Sequence, residues 1–365
     1  MIQTVHMVHL RKSFLYRKSS LCRKSSLYKR SFLCAAGLAL AFAAPASAET
    51  GSKTIFAMDT VMTLQAEGPD AQAAVDAASA EILRIDQLLS TGNENSQVSI
   101  VNRDGKGALT EEMKVLMEYS ERLYNETDGA FDITVYPAMQ LWGFPTQEYH
   151  VPTEEELDAV RQLVDFSQLK YDVSGDQGEI SFAREGMAID FGAIAKGYTS
   201  ARIMQLFEEM GMENGLISLG GNVHAFRCKS DGSPWRIGIR NPFSPDEGFL
   251  GVLEVDDEAV ITSGGYERYF EQDGKTYHHI LDPKTCVPSD SGLVSVTIVS
   301  HDGTLADGLS TSLFVMGLEK SEAYWQDHKD EFEMILEQQD GSIYITEGLE
   351  GRFTSDYPFE VLNAG

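Results

Sequence analysis

The chain has 365 residues, 42% of them hydrophobic, which is enough to bury a large core without a disulfide or a metal ion to stabilise it. Its formal net charge is −27, from 56 acidic and 29 basic side chains. Such an acidic protein repels the phosphates of nucleic acids, so we expect no nucleic-acid partner. A ligand that carries phosphate would need a metal ion or a local group of donors to bind here.

The first 48 residues have the features of an export signal. Basic residues fill the start of this segment, an apolar run covers 32–44, and Ala46-Ser47-Ala48 follows. This order is typical of a secretory signal that is cleaved after the small residues. We therefore expect a signal over 1–48, a single domain over 49–365, and a location outside the cytoplasm, in the periplasm or on the outer face of the cell membrane. Alternatively, a retained leader or a lipid on Cys34 would anchor the chain.

Only Cys228 and Cys286 remain beyond this segment. Outside the cytoplasm two cysteines can form one disulfide or stay as two thiols. The sequence leaves both possibilities open.

Residues 49–365 alternate between helical and strand patterns, without a linker or an internal repeat. Apolar residues at helical spacing predict helices over 70–89, 111–126, 154–164 and 194–210. Strands are predicted over 54–65, 215–219, 235–240, 250–262 and 292–300. Thr153 and Glu156 predict a capping box, and Asp340-Gly341 predicts a hairpin turn of the primed type. The pattern indicates an α+β fold, a single compact domain of mainly antiparallel sheet layers with flanking helices.

The segment 306–311, ADGLST, opens an apolar helix that ends near Met316. Asp307 and Thr311 are four residues apart, so a helix places both side chains on one face. Carboxylate and hydroxyl oxygens are ligands that suit magnesium, which completes its shell with water and substrate phosphates. Capping of the helix by Asp307, with Thr311 bonded back to the backbone, explains the same residues without a metal.

The segment 190–198, DFGAIAKGY, reads as a strand that runs into a helix. A helix N-terminus offers free N–H groups to an anion, and Lys196 would add a positive charge. An ordinary turn with a solvated lysine is the alternative. Neither the phosphate-loop pattern nor the dinucleotide fingerprint occurs, which disfavours the common nucleotide folds.

Two further kinds of segment carry possible chemistry. Glycine pairs in 219–222 and 262–266 would let a ligand approach the backbone closely, although tight turns explain them equally well. His278 and His279 lie near Asp282. A histidine is the usual proton acceptor for a hydroxyl nucleophile near neutral pH, whereas a structural role is the default for either histidine alone. No zinc-binding pattern accompanies them.

Taken together and in this order, these segments resemble the FAD:protein FMN transferase (ApbE) family, formerly described as thiamine-biosynthesis lipoproteins. The resemblance runs from about Thr54 to Gly317. The motifs that carry it are AMDT at 57–60, GAFDIT at 129–134, LWGF at 141–144, DFGAIAKGY at 190–198, LGG at 219–221, TSG at 262–264, HILDP at 279–283 and ADGLST at 306–311.

The resemblance implies a magnesium-dependent transfer of FMN from FAD to a threonine or serine hydroxyl of an acceptor protein, through a phosphoester bond and with release of AMP. The acceptor would be a membrane-linked redox subunit or an extracellular reductase. By motif, Asp307, Thr311 and the carbonyl of Ala193 would bind Mg²⁺, and His279 would be the base. The residues that would line the FAD site are Met58, Ala130, Phe131, Asp132, Asp190, Lys196, Thr262 and Leu281.

Three positions depart from the family pattern. Gly92 stands where an aromatic residue often stacks on the flavin, Ala201 replaces an aspartate, and Cys286 replaces the glycine of the DPxTG motif. We expect Trp142 or Tyr198 to provide the stacking instead. Two alternatives of other classes are a metal-dependent hydrolase that splits FAD into FMN and AMP, and a non-catalytic extracellular flavin-binding protein.

Overall fold

A nine-stranded sheet organises the molecule in the computed structural model, which describes residues 49–175, 177–244 and 248–364. The predicted export signal over 1–48 lies outside the described residues. The described residues form one compact unit. Within the described residues, no helix has the length and apolar character needed to cross a membrane.

Helices and strands alternate along the described chain. The helices are α1 (Ala71–Leu89), α2 (Gln97–Asp104), α3 (Glu111–Glu126), α4 (Tyr136–Leu141), α5 (Glu154–Arg161), α6 (Ala195–Glu209), α7 (Gly303–Met316) and α8 (Leu318–His328). The strands are β1 (Glu49–Ala57), β2 (Thr60–Gly68), β3 (Lys106–Leu109), β4 (Leu169–Asp172), β5 (Gly178–Phe182), β6 (Asn214–Leu219), β7 (Asn222–Phe226), β8 (Trp235–Arg240), β9 (Phe249–Val255), β10 (Ala259–Gly264), β11 (Tyr269–Gln272), β12 (Lys275–His278), β13 (Leu281–Asp282), β14 (Val287–Pro288), β15 (Leu293–Ser300), β16 (Glu333–Gln338), β17 (Ile343–Thr346), β18 (Phe353–Thr354) and β19 (Glu360–Leu362).

The large sheet has the strand order β1-β2-β6-β7-β10-β15-β16-β17-β19. Its neighbouring strands are antiparallel except for the β17–β19 pair. Apolar side chains of α1, α6 and α7 cover one face, while the three-stranded sheet β18-β9-β8 packs on the other. The predicted α+β fold of mainly antiparallel sheet layers with flanking helices is confirmed.

Several predicted elements agree with the structure. α3 has the predicted bounds, and α1, α6 and α7 lie where the apolar spacing placed them. The capping box of Thr153 and Glu156 is present at the start of α5. That helix ends at Arg161, three residues before the predicted end.

Two predicted strands were wrong because a turn without glycine interrupts each. The strand predicted over 54–65 is the hairpin β1–β2, which turns at Met58 and Asp59 with φ of 48° and 58°. The strand predicted over 250–262 is β9 and β10, which belong to different sheets and are separated near Asp257, with φ of 58°. Aspartate tolerates the left-handed conformation, but without a glycine or proline these turns were not recognised within the longer apolar segments.

Two further expectations need correction. The segment that leads directly into α6 is not a strand, since residues 188–191 form irregular backbone. The turn at Asp340-Gly341 is not of the primed type: Gly341 has φ of 87°, but Asp340 does not have positive φ. Gln338 and Ser342 close a longer loop through the Gln338 N–H and the Ser342 carbonyl, 3.0 Å apart. Helices α2, α4 and α8 were not predicted.

Candidate functional site

The site is built around the crossing of α6 and α7, which two glycines make possible. A Cβ added to Gly197 would lie 2.1 Å from the carbonyl oxygen of Gly303. A Cβ on Gly303 would lie 2.6 Å from Oγ of Ser200. Because neither helix carries a side chain at the crossing, the first turn of α6 lies directly against the first turns of α7.

Asp307 uses this close approach to bond with the start of α6. Its Oδ2 accepts a hydrogen bond from the Gly197 N–H at 2.7 Å, and its Oδ1 accepts one from the Asn222 side chain at 2.9 Å. The side chain is only 3% exposed, and burial raises its pKa, opposed by the charge of Lys196 and by these hydrogen bonds. Each carboxylate oxygen has a second lone pair, which can bind a cation.

Capping of α7 by Asp307, the metal-free alternative, does not occur. Asp302 caps this helix instead, by accepting hydrogen bonds from the Thr304 and Leu305 N–H groups at 2.9 and 3.0 Å. Asp307 therefore lies in the second turn of α7, and its hydrogen bonds join α6 and β7 rather than its own helix.

The end of β10 lies beside the same face of α7. Oγ of Ser263 is 3.2 Å from Oγ1 of Thr311 and 2.8 Å from Oγ of Ser310. Thr262 points to the opposite face of the sheet, where its Oγ1 is 2.8 Å from that of Thr297, because successive side chains of a strand alternate. A ligand on the α7 side would therefore meet the side chain of Ser263 and only the backbone of Thr262.

The positive charge of Lys196 acts on both the proposed base and a proposed metal ligand. It lies half-buried in the first turn of α6. Its positive charge acts on the carboxylates of Asp307 and Asp190 and on the imidazole of His279. The tertiary structure thus brings four of the predicted site residues, from widely separated segments, into one electrostatic environment.

Asp190 and Ala193 lie in the loop that leads into α6. The Asp190 carboxylate accepts a hydrogen bond from the Gly192 N–H at 3.0 Å, and its backbone N–H donates to the Ile133 carbonyl at 2.9 Å. The second bond ties this loop to the segment 129–134. Burial raises the pKa of Asp190, opposed by the charges of Arg268 and Lys196. Ala193 is half-buried two residues before α6 begins.

His279 is held as a neutral imidazole with one free nitrogen. Its Nδ1 is 3.1 Å from the Arg268 carbonyl, which also accepts the His279 backbone N–H at 3.0 Å. A carbonyl can only accept, so Nδ1 carries the proton and Nε2 keeps a lone pair. Burial, reinforced by the positive charge of Arg268, lowers the pKa of His279 to about 3. The ring is thus oriented as a proton acceptor.

His278 makes contacts within the fold. Its Nε2 is 3.1 Å from the Ser289 carbonyl oxygen, and its ring packs edge-on against Phe314 with centroids 5.5 Å apart.

Asp132 is occupied by internal hydrogen bonds. Its carboxylate accepts from the Thr134 N–H at 2.7 Å, the Thr134 hydroxyl at 2.6 Å and the Phe166 N–H at 3.0 Å. Burial raises its pKa to about 6. This geometry makes Asp132 the residue that fixes the shape of the segment 129–134, and it leaves little of the carboxylate for a ligand.

The remaining predicted FAD-binding residues are packed in the interior or lie at a turn. Ala130, Phe131 and Leu281 are buried. A ligand could therefore reach mainly their backbone. Met58 is half-buried in the β1–β2 turn, and its backbone N–H donates to the Asp86 carboxylate.

Of the two aromatic residues suggested for stacking, Trp142 is buried. Its Nε1–H donates to the Cys286 carbonyl at 2.8 Å, and its ring packs against Tyr277 with centroids 5.3 Å apart. This leaves no open ring face for the flavin, whereas Tyr198 is half-buried in α6. Gly92 is exposed, and a Cβ there would meet only the Ser90 hydroxyl, at 3.7 Å.

Cys286 holds a backbone conformation that favours glycine, with φ of 58°. It is a buried, free thiol, so it forms no disulfide with Cys228. Burial raises the pKa of this thiol to about 11, which keeps it protonated and unreactive.

The donor set suits a magnesium ion that is bound partly by its substrate. Among the described residues, no group of three His, Cys, Asp or Glu side chains is close enough to hold a metal ion. One carboxylate, one hydroxyl and one carbonyl fit magnesium, which needs few protein ligands when phosphate oxygens supply others.

Asn222 and Ser263 are functional candidates that were not assigned from the sequence. Asn222 follows a two-residue turn, Gly220 and Gly221, in which both residues have positive φ, 64° and 98°. Both residues stood in the glycine-rich segments already noted, but only the fold shows that they contact Asp307 and Thr311.

Comparison with known proteins agrees with this arrangement. The ApbE family matches residues 58–336. The FAD:protein FMN transferase of Klebsiella pneumoniae (strain 342) is 34% identical over 252 residues, which cover 68% of this chain and 77% of that protein. The FAD:protein FMN transferase of Vibrio cholerae is 33% identical over 262 residues, covering 70% of this chain and 77% of the relative.

Solved structures give the same result. The ApbE protein of Thermotoga maritima superposes with a TM-score of 0.76 and 30% identity, covering 83% of this chain and 99% of that one. The flavin transferase ApbE of Vibrio cholerae gives 0.74 and 28%, covering 84% and 99%. The family match spans most of the described chain, including the residues around α6, α7 and His279. This chain therefore belongs to the ApbE family.

Proposed function

We propose that this chain transfers FMN from FAD to a threonine or serine hydroxyl of an acceptor protein, with magnesium, and releases AMP. One observation carries the proposal: at the α6–α7 crossing the buried Asp307 carboxylate accepts hydrogen bonds from the Gly197 N–H and the Asn222 side chain, in the motif that also holds Thr311. The names of the related proteins support the choice of FAD and of an acceptor protein.

The diphosphate of FAD would bind near the metal ion and the positive charge of Lys196. Asp307, Thr311 and the Ala193 carbonyl would hold the metal ion, which when bound neutralises phosphate charge and stabilises the leaving AMP. Lys196 adds a fixed positive charge at the start of α6. An acidic protein can then hold an acidic substrate.

His279 would act on the acceptor. Its Nε2 takes the proton of the hydroxyl, the hydroxyl oxygen forms a bond to the FMN phosphorus, and the bond from that phosphorus to the AMP oxygen breaks. The Arg268 carbonyl keeps the ring in the required tautomer throughout. Water in place of the hydroxyl would give the hydrolase reaction.

We further propose that the reaction occurs outside the cytoplasm and that the acceptor is a membrane-linked redox subunit or an extracellular reductase. The order of basic, apolar and small residues in 1–48 supports export.

The test is incubation of the mature chain with FAD, magnesium and a flavin-carrier domain, followed by in-gel fluorescence and intact mass. An added FMN mass on the carrier that EDTA abolishes is the expected result. Free FMN and AMP without carrier modification would favour either the hydrolase or a carrier of the wrong sequence, and intact FAD would favour the binding protein. Asp307→Asn should abolish AMP release, whereas His279→Ala should retain FAD and lose transfer.

A further inference from the structure

Arg268 is an exposed arginine placed directly beside the proposed base. β11 and β12 pair Tyr269 with His278, and just beyond this pair the His279 N–H donates to the Arg268 carbonyl at 3.0 Å, which continues the antiparallel pairing. Residues that face each other in such a ladder project to the same side of the hairpin. The guanidinium therefore lies on the His279 side of this hairpin.

The electrostatic effects of Arg268 agree with this position. Its charge acts on the imidazole of His279 and on the carboxylate of Asp190, which come from distant parts of the chain. Arg268 thus faces the same region as Lys196, whose charge acts on the same two groups.

In the part of the chain that the structure describes, no carboxylate forms an ion pair with this guanidinium. The neighbouring acid, Glu267, pairs with Arg240 at 3.0 Å instead. Across residues 49–175, 177–244 and 248–364, no carboxylate oxygen lies within the 4.0 Å of an ion pair with Arg268. An arginine without an ion pair is notable in a chain with a net charge of −27.

We propose that Arg268 binds the diphosphate of FAD beside Nε2 of His279. A guanidinium offers a planar fork of donors that matches two phosphate oxygens. The assignment rests on the proposed function, because it takes FAD as the ligand of this region. Arg268 would keep its proton throughout, while the acceptor proton goes to His279 and the electron pair of the broken bond goes to AMP.

The test compares binding of FAD, which carries the diphosphate, with binding of riboflavin, which carries no phosphate. Arg268→Gln should weaken FAD binding in the presence of magnesium by about tenfold or more, because it removes a charge-assisted contact. Riboflavin, which has no phosphate, should bind within about twofold of wild type. Arg268→Lys should recover part of the loss, since it keeps the charge but not the fork.

Arg236→Gln is the matched control, because Arg236 is an exposed arginine of β8, in a different sheet. It should bind both flavins as the wild type does. Equal weakening of FAD and riboflavin in Arg268→Gln would overturn the proposal, as would unchanged FAD binding. The transferase assay is separate: wild-type protein that binds FAD through Arg268 but modifies no carrier would contradict the proposed function alone.

Discussion

At the scale of single residues, the existing hydrogen bonds decide which atoms remain for chemistry. The carboxylate of Asp132 accepts hydrogen bonds from Thr134 and Phe166. In His279, Nδ1 donates to a backbone carbonyl, and the lone pair of Nε2 remains available. Asp307 bonds with Gly197 and Asn222 but retains lone pairs. Residue type alone does not distinguish Asp132, which is occupied by internal hydrogen bonds, from Asp307, the proposed metal ligand.

The lowered pKa of His279 predicts an unusual pH profile. A histidine with its ordinary pKa of 6.5 would cause kcat/KM for transfer to fall as the pH drops through 6.5. Here burial lowers the pKa to about 3, so the free protein keeps a neutral imidazole well below that pH. We expect no loss of kcat/KM from His279 between about pH 8 and pH 5.

A pH series of kcat/KM for FAD, measured at saturating carrier, would test this prediction. The matched control is a wild-type unfolding curve at each pH, which separates loss of activity from loss of fold. A fall in kcat/KM centred near pH 6.5, under conditions where the unfolding curve shows the protein still folded, would contradict the prediction.

At the scale of secondary-structure elements, the α6–α7 crossing supports the site. Gly197→Ala would place a Cβ 2.1 Å from the Gly303 carbonyl and 2.5 Å from Cβ of Asp307, so the helices must separate. Overpacking of this kind costs about 1–3 kcal/mol. We expect a comparable loss of unfolding free energy, measured by urea denaturation, together with a large loss of transfer activity because Asp307 moves.

Gly248→Ala is the control for this substitution, since a Cβ at that exposed glycine would meet no atom within 4 Å. It should leave the unfolding free energy unchanged. Equal stability of Gly197→Ala and the wild type would show that the helices can separate without cost.

Glu337 is a buried acid in the large sheet, on a strand next to β15. Glu337 of β16 faces Ser295 of β15, is 1% exposed, and has no hydrogen-bond partner for either carboxylate oxygen. Burial raises its pKa to about 8. Between pH 4.5 and 8 the folded protein therefore binds a proton that the unfolded chain releases, so stability falls as pH rises through this window.

Glu337→Gln removes this proton linkage. Its unfolding free energy, relative to wild type, should be higher at pH 8.5 than at pH 5, by on the order of 4 kcal/mol. Urea denaturation at both pH values measures the difference. Glu179→Gln, at an exposed position of β5, should show no such change. A pH-independent effect of Glu337→Gln would contradict the assigned cause.

At the scale of the whole molecule, the described fold relies on its core rather than on a disulfide between Cys228 and Cys286. Cys286 is buried as a thiol against the aromatic cluster of Trp142 and Phe270. We therefore expect a reducing agent to shift the Tm of the mature chain by less than about 1 °C.

The same thiol gives a second readout. In a Cys228→Ala mature chain, Cys286 is the remaining cysteine, and a thiol reagent should modify it only after denaturation. Rapid labelling of the native protein, or a clear drop in Tm on reduction of the wild type, would show that Cys286 is accessible or paired.

The sequence by itself determined the periodic elements and the chemistry of the motifs. Helical spacing fixed α3, and the fit of Thr153 and Glu156 to a capping box fixed the start of α5. Such features depend on residues close in the chain, so local physical rules suffice. The motifs at 190–198, 279–283 and 306–311 likewise identified the family before any contact was known.

Only the tertiary structure decided where those motifs meet and which atoms they leave free. The turns at Met58-Asp59 and Asp257 depend on strand pairing, which places β9 and β10 in different sheets. The bond from Asn222 to Asp307 joins residues 85 positions apart. Contacts over such distances follow from sheet order and helix packing, which no local pattern of residues encodes.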